Sequence, residues 1–255
     1  MEFTKKILSA FISGMMALSM VGNVGALAIE NNDISGDLVL CDTNVGEISA
    51  TAANFTSVLH KLKSSFPHYQ QQENSYYCWA ECARAIIIYK LGTNYSCANM
   101  VAKAQELSLS DPAFSVAPNG AANAETTFGV IGNYLGPFGY MTAITGTPLS
   151  RSEVVSYIDS DVPILMCLQN NSHSVNHMVV ITGYGTAKYD YPSLGLSTGD
   201  FTGLYYMDPM TGTESFHQFL PSDSNFSVTV NNSQTGYTNV TLNWTRAIYS
   251  WKYFS

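Results

Sequence analysis

The sequence is poor in charge. Only 12% of its 255 residues are Asp, Glu, Lys or Arg, and 11 basic side chains face 19 acidic ones, for a formal net charge of -8. A chain so short of Lys and Arg lacks the footprint that nucleic acid or an anionic lipid surface requires, and neither is an expected partner. It also lacks internal repeats and low-complexity blocks. No Cys-x-x-Cys pair occurs among Cys41, Cys78, Cys82, Cys97 and Cys167. Cys78 and Cys82 stand four apart, but two sulfurs without a second pair are a weak zinc signal, so neither a metal nor a cofactor is expected. The odd number of cysteines leaves at least one outside any intramolecular pairing, and spacing alone fixes no connectivity among Cys41, Cys82, Cys97 and Cys167. Beyond residue 28 no apolar run approaches the roughly 20 residues of a membrane span.

What is present starts with MEFTKKILSAFISGMMALSMVGNVGALA. Lys5 and Lys6 precede an apolar stretch from Ile7 to Val21, and Ala26-Leu27-Ala28 forms a small-residue exit. Residues 1–28 therefore read as a secretory signal peptide, and the remainder as a soluble, extracellular monomer. Residues 29–63 alternate polar and short apolar patches without a period and read as a propeptide or an N-terminal arm. Residues 64–255 make one domain of ordinary size.

From residue 78 the pattern sharpens. CWAECARAIIIYKL is apolar on most faces, with Gly92 where a helix would stop, which predicts a buried helix capped by Asn74 or Ser75. Further helices are expected at 97–107, 124–135 and 151–160, the last with a capping box of Ser150 and Glu153. The texture then changes to β-branched and aromatic runs at 163–169, 177–185, 203–208, 214–220, 226–230 and 246–254. Helices first and strands later predict an α+β fold with an antiparallel sheet.

Is Cys78 a small core residue or a nucleophile? Alone on an apolar helix it would be core. Its place in the first helical turn, however, lowers a thiol pKa through the helix dipole, and a histidine beside it would complete the activation. Of His60, His68, His173, His177 and His217, only His177 opens a strongly apolar strand, NHMVVITGYG, able to hold an imidazole rigidly. Asp208, ending GLYYMD before Pro209, is the leading group to orient that ring, although it also suits a turn. Gln72, six positions before Cys78, can supply an oxyanion donor together with the Cys78 N–H. Trp79 reads as packing, and Cys82 and Cys167 as core.

The stretch Gln72-Glu73-Asn74-Ser75-Tyr76-Tyr77-Cys78-Trp79-Ala80 resembles the glutamine and nucleophile segment of papain-like cysteine peptidases. His177-Met178-Val179-Val180-Ile181-Thr182-Gly183-Tyr184-Gly185 resembles that family's histidine strand. Tyr76-Tyr77 replace the small residue and cysteine usual before the nucleophile, no Asn-Ser-Trp segment follows, and the histidine comes sooner than the roughly 130 positions of the papain signature. These departures resemble the compact bacterial branch of staphopains and bacteriocin-leader peptidases, where an Asp-Pro turn often supplies the third position.

The resemblance implies a helical lobe headed by Cys78, an antiparallel sheet lobe bearing His177, and a cleft between them over residues 64–255. It implies an endopeptidase acting on protein or peptide substrates through a Cys78 thioester, with His177 as acid and base, Asp208 as orienter and Gln72 as oxyanion donor. Loops 110–123 and 186–202 are the expected subsites. The same chemistry also serves a transglutaminase-like acyl transferase or a peptidoglycan amidase, and a non-catalytic binding module would keep the core alone.

Overall fold

The computed structural model describes residues 56–252 except 65, 68–75, 119, 173–175, 221, 222 and 233–236. The expected signal peptide, most of the 29–63 stretch, Cys41, Gln72, Asn74 and Ser75 lie outside the described residues.

Eight strands among the described residues form one antiparallel sheet. They are β1 Ser57–Lys61, β2 Tyr140–Ile144, β3 Ile164–Gln169, β4 Asn176–Ala187, β5 Phe201–Asp208, β6 Thr213–Gln218, β7 Ser227–Asn232 and β8 Tyr237–Lys252. Their order is β2-β8-β3-β4-β5-β6, with β1 added to β4 and β7 to β8. Helices α1 Cys78–Leu91, α2 Cys97–Ser108 and α3 Ala124–Leu135 precede most of the sheet in sequence, and α4 Arg151–Asp159 leads into β3. This is the expected α+β arrangement, a helical lobe and an antiparallel sheet lobe.

The central helix is set by its composition. Every residue from Cys78 to Ile87 is buried, including Glu81 and Arg84. Those two charges are tolerated because they pair: Arg84 Nε donates to Glu81 Oε2 at 2.9 Å, its Nη2 takes Oε1, and the Cys97 thiol donates to Oε2 at 2.6 Å. Gly92 ends the helix at φ 68°, its N–H returning to the Ile88 carbonyl at 2.7 Å. The start differs from expectation. The N-cap position belongs to Tyr77, not to Asn74 or Ser75, and Tyr77 makes no side-chain cap because its ring is used for packing. The Ser150–Glu153 capping box of α4 is present as read from sequence, and a second box joins Ser96 and Asn99 at α2.

Two cores flank the sheet. Trp79, Ile86, Ile87, Met100 and Ile131 of α1–α3 pack with Leu165, Cys167, Met178, Val180 and Ile248 on one face. On the other, Val154 and Ile158 of α4 pack with Met166, Val179, Ile181, Tyr206, Phe226 and Trp244. A fully buried Ile or Leu in either core contributes on the order of 2 kcal/mol of hydrophobic stabilisation.

Three strands depart from the sequence reading. β1 falls within the weakly patterned 29–63 stretch and pairs with β4 in the register Ser57↔Ala187 to Lys61↔Gly183. β2 pairs with the end of β8, Tyr140↔Lys252 to Ile144↔Ile248. β8 begins at Tyr237, well before the expected 246. β1 and β2 are five residues long and only partly buried, so their sequences carry little alternation. No described helix is long and apolar enough to cross a membrane.

Candidate active site

Cys78 is the first residue of α1 and is 2% exposed. Its neighbours on both sides fasten the helix start to the loop between α2 and α3. The Tyr77 ring lies so close to Gly120 that a Cβ there would sit 2.4 Å from Tyr77 Cε1, and Gly120 also takes φ 88°, which glycine alone adopts readily. Trp79, fully buried, donates from Nε1 to the Gly120 carbonyl at 2.9 Å. Packing is thus the role of Trp79, as its sequence context suggested, and Gly120 of loop 110–123 meets the residues on either side of Cys78.

His177 is the second residue of β4, and Asp208 the last of β5. The strands pair from Val180↔Met207 to Thr186↔Phe201, so the first residues of β4 extend past the ladder toward the turn after Asp208. There His177 Nε2 lies 2.9 Å from Asp208 Oδ1, with both residues 2% exposed. An ionised carboxylate only accepts, so Nε2 carries the proton of this bond. Asp208 serves its turn as well: Oδ1 accepts from the Met210 N–H at 2.9 Å, and its carbonyl accepts from Gly212 N–H at 2.9 Å. Turn former and histidine partner are one residue.

The helix start and the histidine strand are joined one turn along. Cys82, fully buried, donates from Sγ to the Met178 carbonyl at 3.2 Å, one residue after His177. Thr127 of α3 reaches the Met178 sulfur at 3.7 Å, and Cys167 of β3 pairs with Met178 in the sheet. Burial pushes the Cys167 thiol up to about 12, which makes it inert core. The structure joins His177 to Asp208 at one end of the sheet and ties α1, one turn after Cys78, to the residue that follows His177, while Gln72 falls outside the described residues.

Other candidates lie elsewhere. His60 stacks on Tyr184 with ring centroids 4.5 Å apart, and His217 meets Phe226 edge-on at 4.7 Å. Loop 186–202 corrects an expectation: it joins the far ends of β4 and β5, and at about 3.3 Å per residue it sits roughly 30 Å from His177. A strand as long as Asn176–Ala187 was not readable from a run that becomes Gly-rich after Thr182. A surface depression of about 1120 Å3 lined by Arg151, Phe219 and Trp244 lies at the start of α4 and includes none of Cys78, His177 and Asp208. Among the described residues no group of three or more His, Cys, Asp or Glu is arranged to hold a metal.

The ties through Gly120 and Cys82 were missed in sequence. The Pro118-Asn119-Gly120 turn signal was visible, but nothing local says which helix it meets.

A nucleophile-type helix start, a histidine strand and an antiparallel sheet on this fold define a papain-like cysteine peptidase. The model of the Peptidase_C39 like family matches residues 63–241, and the chain belongs to that family. No curated protein matches the chain. Among solved structures, the peptidase domain of Streptococcus ComA, a bi-functional ABC transporter involved in a quorum-sensing pathway, aligns with 76% of this chain and 98% of its own at 13% identity and a TM-score of 0.38. That likeness is too distant to bear on activity.

Proposed function

We propose that the protein is an exported endopeptidase in which Cys78 is the nucleophile, His177 the acid and base, Asp208 the residue that orients it, and Gln72 an oxyanion donor. The observation that supports this reading most directly is the buried His177–Asp208 hydrogen bond at the end of the sheet to which α1 is tied. With Nε2 committed to Asp208, proton exchange with the thiol falls to Nδ1. The imidazolium formed is stabilised by the carboxylate, and the thiolate by the positive end of a 14-residue helix.

The chemistry follows. Cys78 Sγ attacks the scissile carbonyl carbon, and the carbonyl oxygen becomes an oxyanion that the Cys78 N–H and the Gln72 amide stabilise. Collapse breaks the C–N bond as His177 passes its proton to the leaving amine, giving a thioester. Water then loses a proton to His177 and attacks the thioester, releasing the acid and restoring the thiol.

The test is consumption of casein, with purified cell wall as the comparison substrate for an amidase. Casein hydrolysis by the wild-type chain, absent in Cys78→Ala, is expected. Hydrolysis that persists in Cys78→Ala removes the nucleophile assignment, and consumption of cell wall alone replaces the endopeptidase reading by an amidase.

A further inference from the structure

We propose that Cys82 is a positioning residue that sets the distance between the Cys78 thiol and the His177 imidazole. This rests on the reading that Cys78 and His177 form the reacting pair. The histidine end of β4 is only half fixed by the sheet: β3 pairs with it from Asn176 onward, but β5 joins β4 only from Val180. Besides its pairing with Leu168 of β3, His177 is held by its own bond to Asp208, and the next residue by the bond from Cys82 to its carbonyl.

Cys82 lies on the same face of α1 as Cys78, one turn away, since residues four apart on a helix are neighbours. Its 3.2 Å contact with Met178 O therefore links the nucleophile's own helix to the histidine's own strand with one side chain. The residue type suits the task. Cys82 is fully buried where α1 meets β4, and its short side chain carries a thiol donor that alanine or valine lacks. Because the bond goes to the Met178 backbone carbonyl, a shift of the helix at Cys82 acts on the strand directly next to His177, and Thr127 of α3 meets the Met178 sulfur separately at 3.7 Å. An ion pair between thiolate and imidazolium falls off with separation, and misplacement of reacting groups by about 1 Å costs up to 10²-fold in rate.

The test needs no substrate. Full-length wild type, Cys82→Val and Cys82→Ser are alkylated with iodoacetamide between pH 4 and 9, Cys78 modification is followed by peptide mass, and melting temperature is recorded alongside. Wild type should keep fast alkylation into the acid range. Cys82→Val should lose about tenfold at pH 5 and converge with wild type at pH 9, because the paired thiolate is weakened and the thiol is otherwise intact. Cys82→Ser, which keeps a donor, should stay within about threefold at all pH values. An acid limb unchanged in Cys82→Val overturns the proposal, and so does an equal loss in Cys82→Ser at unchanged melting temperature. A wild type with the profile of an ordinary thiol overturns instead the Cys78–His177 pairing on which the proposal rests. Those outcomes are distinct, since the first two leave the wild-type acid limb in place.

Discussion

His177 Nε2 and Asp208 Oδ1 stand 2.9 Å apart although 31 residues separate them in the chain. The β4–β5 pairing places them there, and the same carboxylate oxygen is held by the Met210 N–H. Asp208 is thus fixed before it orients anything. Replacing it separates two roles. Asp208→Asn keeps an acceptor for Nε2 but no charge, whereas Asp208→Ala removes both. Turnover should fall by roughly 10²–10⁴ in Asp208→Ala, as when a triad loses its orienting acid, and less in Asp208→Asn. Steady-state kinetics on casein checks this, and a fully active Asp208→Ala would return Asp208 to the role of turn former.

The role proposed for Gln72 is tested apart from the thiol. Gln72→Ala should lower kcat by roughly 10²–10³, the loss typical of one oxyanion donor, and leave alkylation of Cys78 by iodoacetamide unchanged because that reaction develops no oxyanion. Comparison of the two rates in the same variant decides it. Equal loss in both would make Gln72 a structural support of the thiol.

A pH effect on stability comes from a residue outside the site. Burial holds the His217 imidazole below its usual pKa, and Asp223 opposes this weakly. The unfolded chain, with an ordinary value near 6.5, binds a proton that the folded chain resists. Stability should therefore be unaffected above about pH 6.5 and decline as pH falls through that value, levelling once the folded-state pKa is passed. Thermal unfolding of wild type and His217→Gln at pH 8 and pH 5 reads this directly. The wild type should lose more melting temperature over that interval than the variant, and identical losses would show that the ring is not buried in solution.

What the sequence showed and what it hid divide along physical lines. Helices α1 to α4 were legible because their apolar spacing and end signals are local: Gly92 at φ 68° and the Ser150–Glu153 box need no tertiary partner. His177 stood out because an apolar strand follows it, and Asp208 because a turn does. Tyr77 as N-cap was not legible, since its ring is engaged by Gly120, some forty residues on. The Cys82–Met178 tie was hidden for the same reason, because a buried cysteine looks alike whether or not its thiol meets a carbonyl. β1 was hidden because its stability is mostly backbone pairing, to which side-chain pattern is blind.

That strand bears on where the chain could be trimmed. Residues 29–63 read as a propeptide or arm, and the basic residues His60, Lys61 and Lys63 at its end make the bonds there a natural place for a cut. Those bonds are fastened on all sides. Thr56 accepts from the Lys188 N–H at 2.9 Å, the His60 ring stacks on Tyr184, and Lys61 pairs with Glu214. Leu62 N–H donates to Thr182 O at 3.1 Å, and Lys63 N–H to Asp161 Oδ1 at 2.8 Å. A protease needs its substrate segment released from such pairing, so native trypsin should spare Lys61 and Lys63, although no Lys or Arg lies between Lys6 and Lys61 to compete. Gly183→Ala should expose both bonds, because a Cβ there would lie 2.5 Å from the His60 carbonyl oxygen and force β1 off β4. Any maturation cut should accordingly fall before Thr56, which N-terminal sequencing of the active protein checks. A start between Ser57 and Ser64 in a fully active form would show that β1 is dispensable, and a start just after Ala28 with full activity and no lag would show that no propeptide is removed.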